Sequence, residues 1–433
     1  MPIPRKCALF LATVFLCHFT SQAASVVDTP YTVAAWQGFR AGALSLTFDD
    51  ACPGQFTILV PLLDKYPFKV TFYIDLKNRS FTKTPWDNIR QAAAAGHEVT
   101  SHSVTHSKFS TLSDAQQEAE LKDSRDTILK EIPSQKVLTF AYPNCVLGKD
   151  ALVARYYMAA RSCNEDRIEP ADPANLFRIN SFSYGGNVTA QTLNGTTDNA
   201  ISKKGWASFL IHGIDDAGGY NPVKSSMLKT HFDYLQTKQG QVWVAPFADV
   251  ARYIRERQSL TLKQIRSTKD SIVVKLTDTL PDAIYNVPVT FQRPLPEGWN
   301  TCFVSQNGRA LKDSLVMVNS KRFVMFDAIP DAGDIVMSTN GVVAMRRTPG
   351  GITGKVSLSG VQGELRFSLP PGLAGVLELS LFDSQGVRCA VAQAVRANDG
   401  YHVELPKLGA GVYGAKISLN GFAFGEPFML KLQ

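Results

Sequence analysis

The chain reads as an α/β domain, a distorted (β/α) barrel, followed by one or two all-β sandwich domains. Three observations say so. Between about residues 41 and 257, β-type apolar runs alternate with segments of helical spacing, the pattern of a parallel sheet wrapped by helices. Past Gln258 the helical periods stop, and short alternating strands separated by Pro and Gly turns take over. At 433 residues the chain is also too long for a single core.

The elements follow in order. Ala43-Leu44-Ser45-Leu46-Thr47-Phe48 is a buried strand, Gln55 to Tyr66 carries apolar residues at helical spacing, and Lys69 to Ile74 is a strand again. Trp86 to Ala95 is a helix that Gly96 ends, with the short strand Glu98 to Thr100 behind it. Ser113 with Gln116 fits a capping box opening a helix to Glu131, which Pro133 stops. Val137 to Tyr142 is the next strand, Asp150 to Ala160 a helix, and Trp206 to Ile211 a strand. Helix Ser225 to Thr237, strand Val242 to Ala245 and helix Phe247 to Arg257 close the region. Short strands at 271–276, 287–291, 301–304 and 323–326 build the first β unit, and those at 354–358, 363–369, 376–382 and 411–419 the second. The expected divisions are a leader at 1–23, the α/β domain at 24–258, and β domains at 259–345 and 346–433.

The start of the chain sets the expected compartment. Arg5 and Lys6 precede the apolar run Ala8 to Phe19 and the small-residue site Ser21-Gln22-Ala23. This is the order of a secretory signal peptide cleaved near Ala23, with a run too short to span a bilayer comfortably. The mature protein is expected outside the cytoplasm, secreted, periplasmic or at the cell surface. The 45 basic and 38 acidic residues give a net charge of +7, two of the basic ones lying in the leader. The charge is mild and spread along the chain, with no basic cluster interleaved with aromatics, so nucleic acid is not an expected partner. Of seven cysteines, Cys52, Cys145, Cys163, Cys302 and Cys389 follow the leader. No CxxC spacing occurs among them, and Cys52 with Cys145 is the pairing expected first.

Chemistry concentrates at three strand ends. Asp49-Asp50 closes the first buried strand, at the C-terminal rim where α/β folds place their sites. His102-Ser103-Val104-Thr105-His106 follows a later strand, and two histidines four apart on a helical turn present two imidazoles to one metal. Leu210-Ile211-His212 ends a third apolar run, and a histidine there exchanges protons near neutral pH. Each feature has a plain structural reading too: an Asp turn capping a helix, a surface histidine pair, a hydrogen-bonded core histidine. Their shared position at strand ends favours one site.

In order and spacing, Thr47-Phe48-Asp49-Asp50, His102-Ser103-Val104-Thr105-His106 and Leu210-Ile211-His212 resemble the polysaccharide deacetylases with the NodB-type domain, carbohydrate esterase family four. The resemblance covers about residues 41–255. It implies a (β/α) barrel of fewer than eight repeats and a divalent metal, most often Zn2+. By position it implies Asp50, His102 and His106 as metal ligands, Asp49 as catalytic base and His212 as general acid. It also implies the Asn144 backbone N–H as oxyanion donor and Tyr142 beside the substrate. An Asp-His-His set leaves coordination positions open for water and the acetyl oxygen, while Asp49 takes the water's proton and His212 protonates the leaving amine or alcohol. The implied partner is an acetylated polysaccharide, an N-acetylglucosamine polymer or acetylated xylan.

The sequence departs from that family at several points. Ala141-Tyr142-Pro143-Asn144 stands where the family often has Arg-x-Pro-Tyr, so the Arg that holds the base is missing from its place. Ala51 replaces a usual glycine. The Asp that orients the acid histidine has no evident counterpart, and Asp215 and Asp216 are as well explained as caps of the next helix. These departures motivate a second reading, a catalytically degenerate carbohydrate-binding or cell-surface protein on the same barrel. Tyr142, Trp206, Tyr220 and Trp243 are candidate sugar-stacking aromatics. The last segment, ending Gly411-Val412-Tyr413, resembles C-terminal Ig-like units of bacterial secreted proteins, which implies a role in sorting or surface attachment.

Overall fold

The computed structural model describes residues 25–77, 84–339, 342–344, 355–358, 364–368, 377–383, 388–397, 400–404, 411–419, 422–423 and 428–432. The leader expected at 1–23 and the Pro349-Gly350-Gly351 turn lie outside them. The chain divides into two compact units, one holding Arg40–Ala251 and the other Ala24–Phe39 with Arg252–Gln433. The stretch 25–39, expected as the start of the α/β domain, therefore groups with the β unit.

The first unit is built on an eight-stranded parallel sheet among the described residues. Its strands are β1 (Gly42–Asp49), β2 (Thr71–Ile74), β3 (Glu98–Ser101), β4 (Thr139–Ala141), β5 (Ala159–Arg161), β6 (Phe182–Ser183), β7 (Trp206–Ile211) and β8 (Val242–Val244). Side by side they run β5-β4-β3-β2-β1-β7-β6, with β8 tucked against the start of β1. The sheet closes on itself just before β6. Ile179 bridges in parallel to Arg161 of β5, and three residues on Phe182 pairs with Phe209 of β7. The expected barrel with fewer than eight repeats is what the chain forms.

Alternation along the strands explains why it closes. Leu44, Leu46, Phe48, Phe72, Val99, Phe140, Phe209 and Ile211 belong to one hydrophobic core with residues of the surrounding helices. The intervening side chains Ser45, Thr47, Thr71, Thr100, Thr139 and Ser208 are polar and buried. Glu98 ties this polar interior together. Its carboxylate accepts from Thr71 Oγ1 at 2.8 Å, Thr139 Oγ1 at 2.5 Å and the Ala248 N–H at 2.9 Å, so it also caps the helix Phe247–Ser259.

Four helices pack outside: α1 (Trp86–Ala94), α2 (Asp114–Glu131), α3 (Ala190–Ser202) and α4 (Ser225–Thr237). The capping box at α2 is present in full, Ser113 accepting from the Gln116 N–H and Gln116 from the Ser113 N–H, a motif worth about 1 kcal/mol. Three expectations need correction. Asp150 to Ala160 is helical only over Asp150–Val153, and its end is strand β5. The region Gln55 to Tyr66 is a wide helical turn over Gln55–Leu59 that continues as α-helix only to Leu63. Strand β6 and helix α3 were not expected at all, because their segments are polar with no apolar period.

Among the described residues the strands of the second unit pair antiparallel apart from one short parallel pair. One sheet orders Val26–Val27, Thr261–Ser267, Ser271–Thr277, Ile335–Ser338, Phe303–Gln306 and Arg309–Ala310; the other orders Asp313–Val318, Lys321–Ala328, Val289–Pro294 and Thr32–Val33. Two five-stranded sheets follow within 342–432. Among the described residues no helix is long and apolar enough to cross a membrane.

Candidate active site

The C-terminal ends of β1, β3 and β7 bring the expected residues to one place. After Asp49 the chain takes two consecutive left-handed residues, Asp50 (φ 72°) and Ala51 (φ 51°). Left-handed backbone suits glycine, so a side chain at 51 is held there at a cost of about 1 kcal/mol. This turn lifts Asp50 over the strand end while Asp49, still on β1, stays buried beneath it.

Asp50, His102 and His106 each offer one ligand atom, and these atoms lie within 4.8 Å of one another. His106 Nε2 stands 3.5 Å and His102 Nε2 3.7 Å from Asp50 Oδ1. The two histidines do not share a helical turn as expected. They flank a loop bent by left-handed Ser103 and His106, and Glu120 of α2 holds that loop by accepting from the Val104 and Thr105 N–H groups at 2.8 and 2.9 Å.

The donor chemistry fits a divalent cation. His102 Nδ1 lies 2.8 Å from the Ala141 carbonyl oxygen and must be the protonated nitrogen, so Nε2 turns its lone pair toward Asp50. Burial pushes the His102 pKa down to about 3 and lowers that of His106, so both are neutral imidazoles, as ligation requires.

Asp49 has the partner the sequence seemed to lack. Arg161 Nη2 donates to Asp49 Oδ2 at 2.5 Å, and both side chains are almost wholly buried. The guanidinium also sits over the Tyr73 ring, 5.0 Å from its centroid. Burial opposes ionisation of Asp49, but the charge and hydrogen bond of Arg161 outweigh it and hold the carboxyl below its ordinary range. Arg161 comes from β5, where its register partner on β4 is Ala141. Sequence reasoning missed it because Ala159 and Ala160 read as the end of a helix, which leaves Arg161 in a loop.

His212 Nε2 lies 3.9 Å from Asp50 Oδ2, whereas the ligand histidines face Asp50 Oδ1. Gln55, also missed, joins the two strand ends: its buried Nε2 donates to the Asp49 carbonyl at 2.5 Å and the His212 carbonyl at 3.0 Å. Asp215 accepts from the Ser225 N–H at 2.9 Å and caps α4, the structural reading held for it above.

Asn144 reaches the site from the loop after β4. It is left-handed (φ 56°), and its Nδ2 donates to the His106 carbonyl at 3.1 Å. Tyr142 does not contact substrate space: it is 1% exposed and packs edge-on against Phe109 and Phe140. Trp206 is likewise buried, and Trp243 pairs with Ala43 at the start of β1, the wrong end of the barrel. The expected Cys52–Cys145 bridge is replaced by Cys145–Cys163, with Cα atoms 5.1 Å apart. Cys163 leaves β5 beside the loop that carries Cys145, whereas Cys52 is a buried free thiol with Sγ 3.7 Å from the Asp49 carbonyl oxygen.

Residues 37–158 match the sequence model of the polysaccharide deacetylase family. Over 378 residues, 82% of the chain, the sequence is 28% identical to a gellan lyase from a Bacillus species; the chain spans 15% of that protein's length. Among solved structures it is similar to a family 4 carbohydrate esterase from Streptomyces lividans in complex with acetate (18% identity, 47% of this chain, 91% of that one, TM-score 0.33). It is also similar to a family 4 esterase domain of a multidomain xylanase from the hindgut metagenome of Trinervitermes trinervoides (17% identity, 48% and 89%, TM-score 0.35). A third is a family 4 pseudoenzyme from Bacillus anthracis (19% identity, 48% and 65%, TM-score 0.35).

Proposed function

We propose that this protein is an active, metal-dependent carbohydrate deacetylase that releases acetate from an acetylated polysaccharide, an N-acetylglucosamine polymer or acetylated xylan. The observation that carries the reading is an Asp-His-His ligand set beside a second aspartate kept ionised by a buried arginine. Asp50, His102 and His106 would hold the cation, and the mixed imidazole–carboxylate set suits Zn2+. When bound, such an ion polarises the acetyl carbonyl and makes water more acidic.

The chain's own groups do the rest. Asp49, ionised against Arg161, accepts a proton from the attacking water. The Asn144 N–H donates toward the carbonyl oxygen as negative charge builds there. His212, beside Asp50, gives a proton to the nitrogen or oxygen of the sugar as the bond to the acetyl carbon breaks, and acetate leaves.

The degenerate-binder reading rests on the missing arginine and on the unplaced Asp that would orient the acid histidine; against the first, Arg161 supplies that charge from the next strand. A secreted or surface location is part of the proposal. It is supported by the leader's residue order and by the Cys145–Cys163 bridge, which persists in oxidising compartments. Attachment through the C-terminal β segment is the corresponding proposal for residues 346–433.

The test is acetate release from acetylated chito-oligosaccharides and acetylxylan, before and after chelation, with Zn2+ added back. Release that chelator removes and metal restores supports the reading. A metal-loaded protein that releases acetate from neither glycan refutes it.

A further inference from the structure

Tyr220 stands beside His212 with its ring in solvent. The two ring centroids are 5.2 Å apart with planes at 82°, yet the residue is 69% exposed, and it is the one exposed aromatic among the described residues of the first unit. The backbone beneath it is fixed on several sides. Its carbonyl accepts from the Gly213 N–H at 3.0 Å, and neighbouring Asn221 Oδ1 accepts from the Gly186 N–H at 2.8 Å. Gly219 crosses directly over Cys52: it is left-handed (φ +112°), and a Cβ there would stand 2.5 Å from Cys52 Sγ, so only glycine passes. The chain thus builds a close-packed turn whose result is an aromatic face held in water at the rim.

Beyond its contact with His212 the ring is an apolar surface open to water, and the C–H face of a pyranose ring is a matching one, held by dispersion and apolar burial. The position decides which sugar it meets. His212 delivers its proton to the atom that joins the acetyl group to the sugar, so that sugar lies within reach of His212, next to the Tyr220 ring. We infer that Tyr220 is the stacking platform for the sugar ring that carries the acetyl group, and that it makes the site selective for acetylated pyranosyl units over small acetyl esters. This inference rests on the deacetylase reading for the identity of the atom protonated.

The experiment compares kcat/KM on an acetylated oligosaccharide with kcat/KM on 4-nitrophenyl acetate, for wild type, Tyr220→Ala, Tyr220→Phe and Tyr220→Trp. Tyr220→Ala is expected to lower the glycan-to-aryl-ester ratio about tenfold, through a raised KM for the glycan, while Phe and Trp hold the ratio within about twofold. A ratio unchanged in Tyr220→Ala overturns the inference, because a merely structural role for the ring lowers both activities together. A Phe variant that falls as far as Ala overturns it too, since the ring and not the hydroxyl is the platform. If wild type deacetylates no glycan, the deacetylase reading fails by itself, and calorimetric binding of chito- and xylo-oligosaccharides then decides. Binding about tenfold weaker in Tyr220→Ala than in wild type upholds the platform, and equal or absent binding in both refutes it.

Discussion

Replacing Arg161 by Ala should remove most of the activity while leaving the metal site loaded. Arg161 and Asp49 are 1% and 2% exposed and joined at 2.5 Å. Taking one partner from a buried, hydrogen-bonded pair costs about 3 to 5 kcal/mol, chiefly because the other charge stays behind uncompensated. Asp49 then relieves the cost by holding a proton, and a protonated Asp49 cannot accept one from water. If about 3 kcal/mol of that appears in the barrier, kcat falls by roughly a hundredfold or more. Metal content, measured on the purified variant, should stay near wild type because Arg161 touches no ligand of the Asp50, His102, His106 set. The register of β4 and β5 supplies a sharper arm: Ala141 and Arg161 are paired residues of neighbouring parallel strands, so their side chains leave the same face of the sheet. Ala141→Arg combined with Arg161→Ala should recover a measurable part of the lost rate. Acetate release by Arg161→Ala within about threefold of wild type would refute the assignment of Arg161 as the group that positions and ionises the base.

Further predictions concern other parts of the molecule. His102→Ala should cost the metal itself, read as loss of bound Zn2+ after dialysis, whereas Asp49→Asn should abolish acetate release with metal retained; the same metal loss in both variants would merge the two roles assigned here. Cys145→Ser should lower stability by about 3 kcal/mol in urea unfolding, the entropy of closing a loop of 18 residues, and a midpoint equal to wild type under oxidising conditions would show the bridge to be dispensable. His97 and His231 are both buried, and burial depresses their pKa values from 6.5 to about 4 and about 3. The unfolded chain therefore takes up protons that the fold refuses. Their contribution is intact above pH 6.5 and is lost as pH falls toward 4, about 2 to 3 kcal/mol from His97 alone by pH 4.5. Urea unfolding at pH 7 and 4.5 reads that slope, and His231→Gln should flatten it.

The strongly patterned parts of the chain were legible. β1 and β7 show as apolar runs ended by chemistry, α2 announces its start by Ser113 and Gln116, and the texture change near Gln258 marks where helices stop. That Asp49, Asp50, His102, His106 and His212 come together was legible because each ends or follows a strand. What was illegible has physical reasons. β5 is three residues long and β6 two, too short for a period of two to show, and both take their place from neighbours that hydrogen-bond them. The Cys145–Cys163 pairing depends on which strands lie side by side, which spacing does not encode. The loop between His102 and His106 looks helical by spacing, but Glu120 and two left-handed residues decide otherwise.

The arginine shows what a motif leaves out. A barrel interior is a ring of inward positions, and a charge needed beside Asp49 can enter it from any strand whose inward residue reaches that level. On β4 that residue is Ala141, and on β5, one strand further round and in register, it is Arg161. Tyr73, inward on β2 and paired with Asp49 in the sheet, lies under the guanidinium. The alanine at 141 and the arginine at 161 are therefore parts of one arrangement: the small side chain makes room for the long one to cross toward β1. A bulky apolar residue at 141, such as Leu, should block that path and reduce acetate release as Arg161→Ala does, with the arginine still present; full activity in Ala141→Leu would show that Arg161 reaches Asp49 without needing that space.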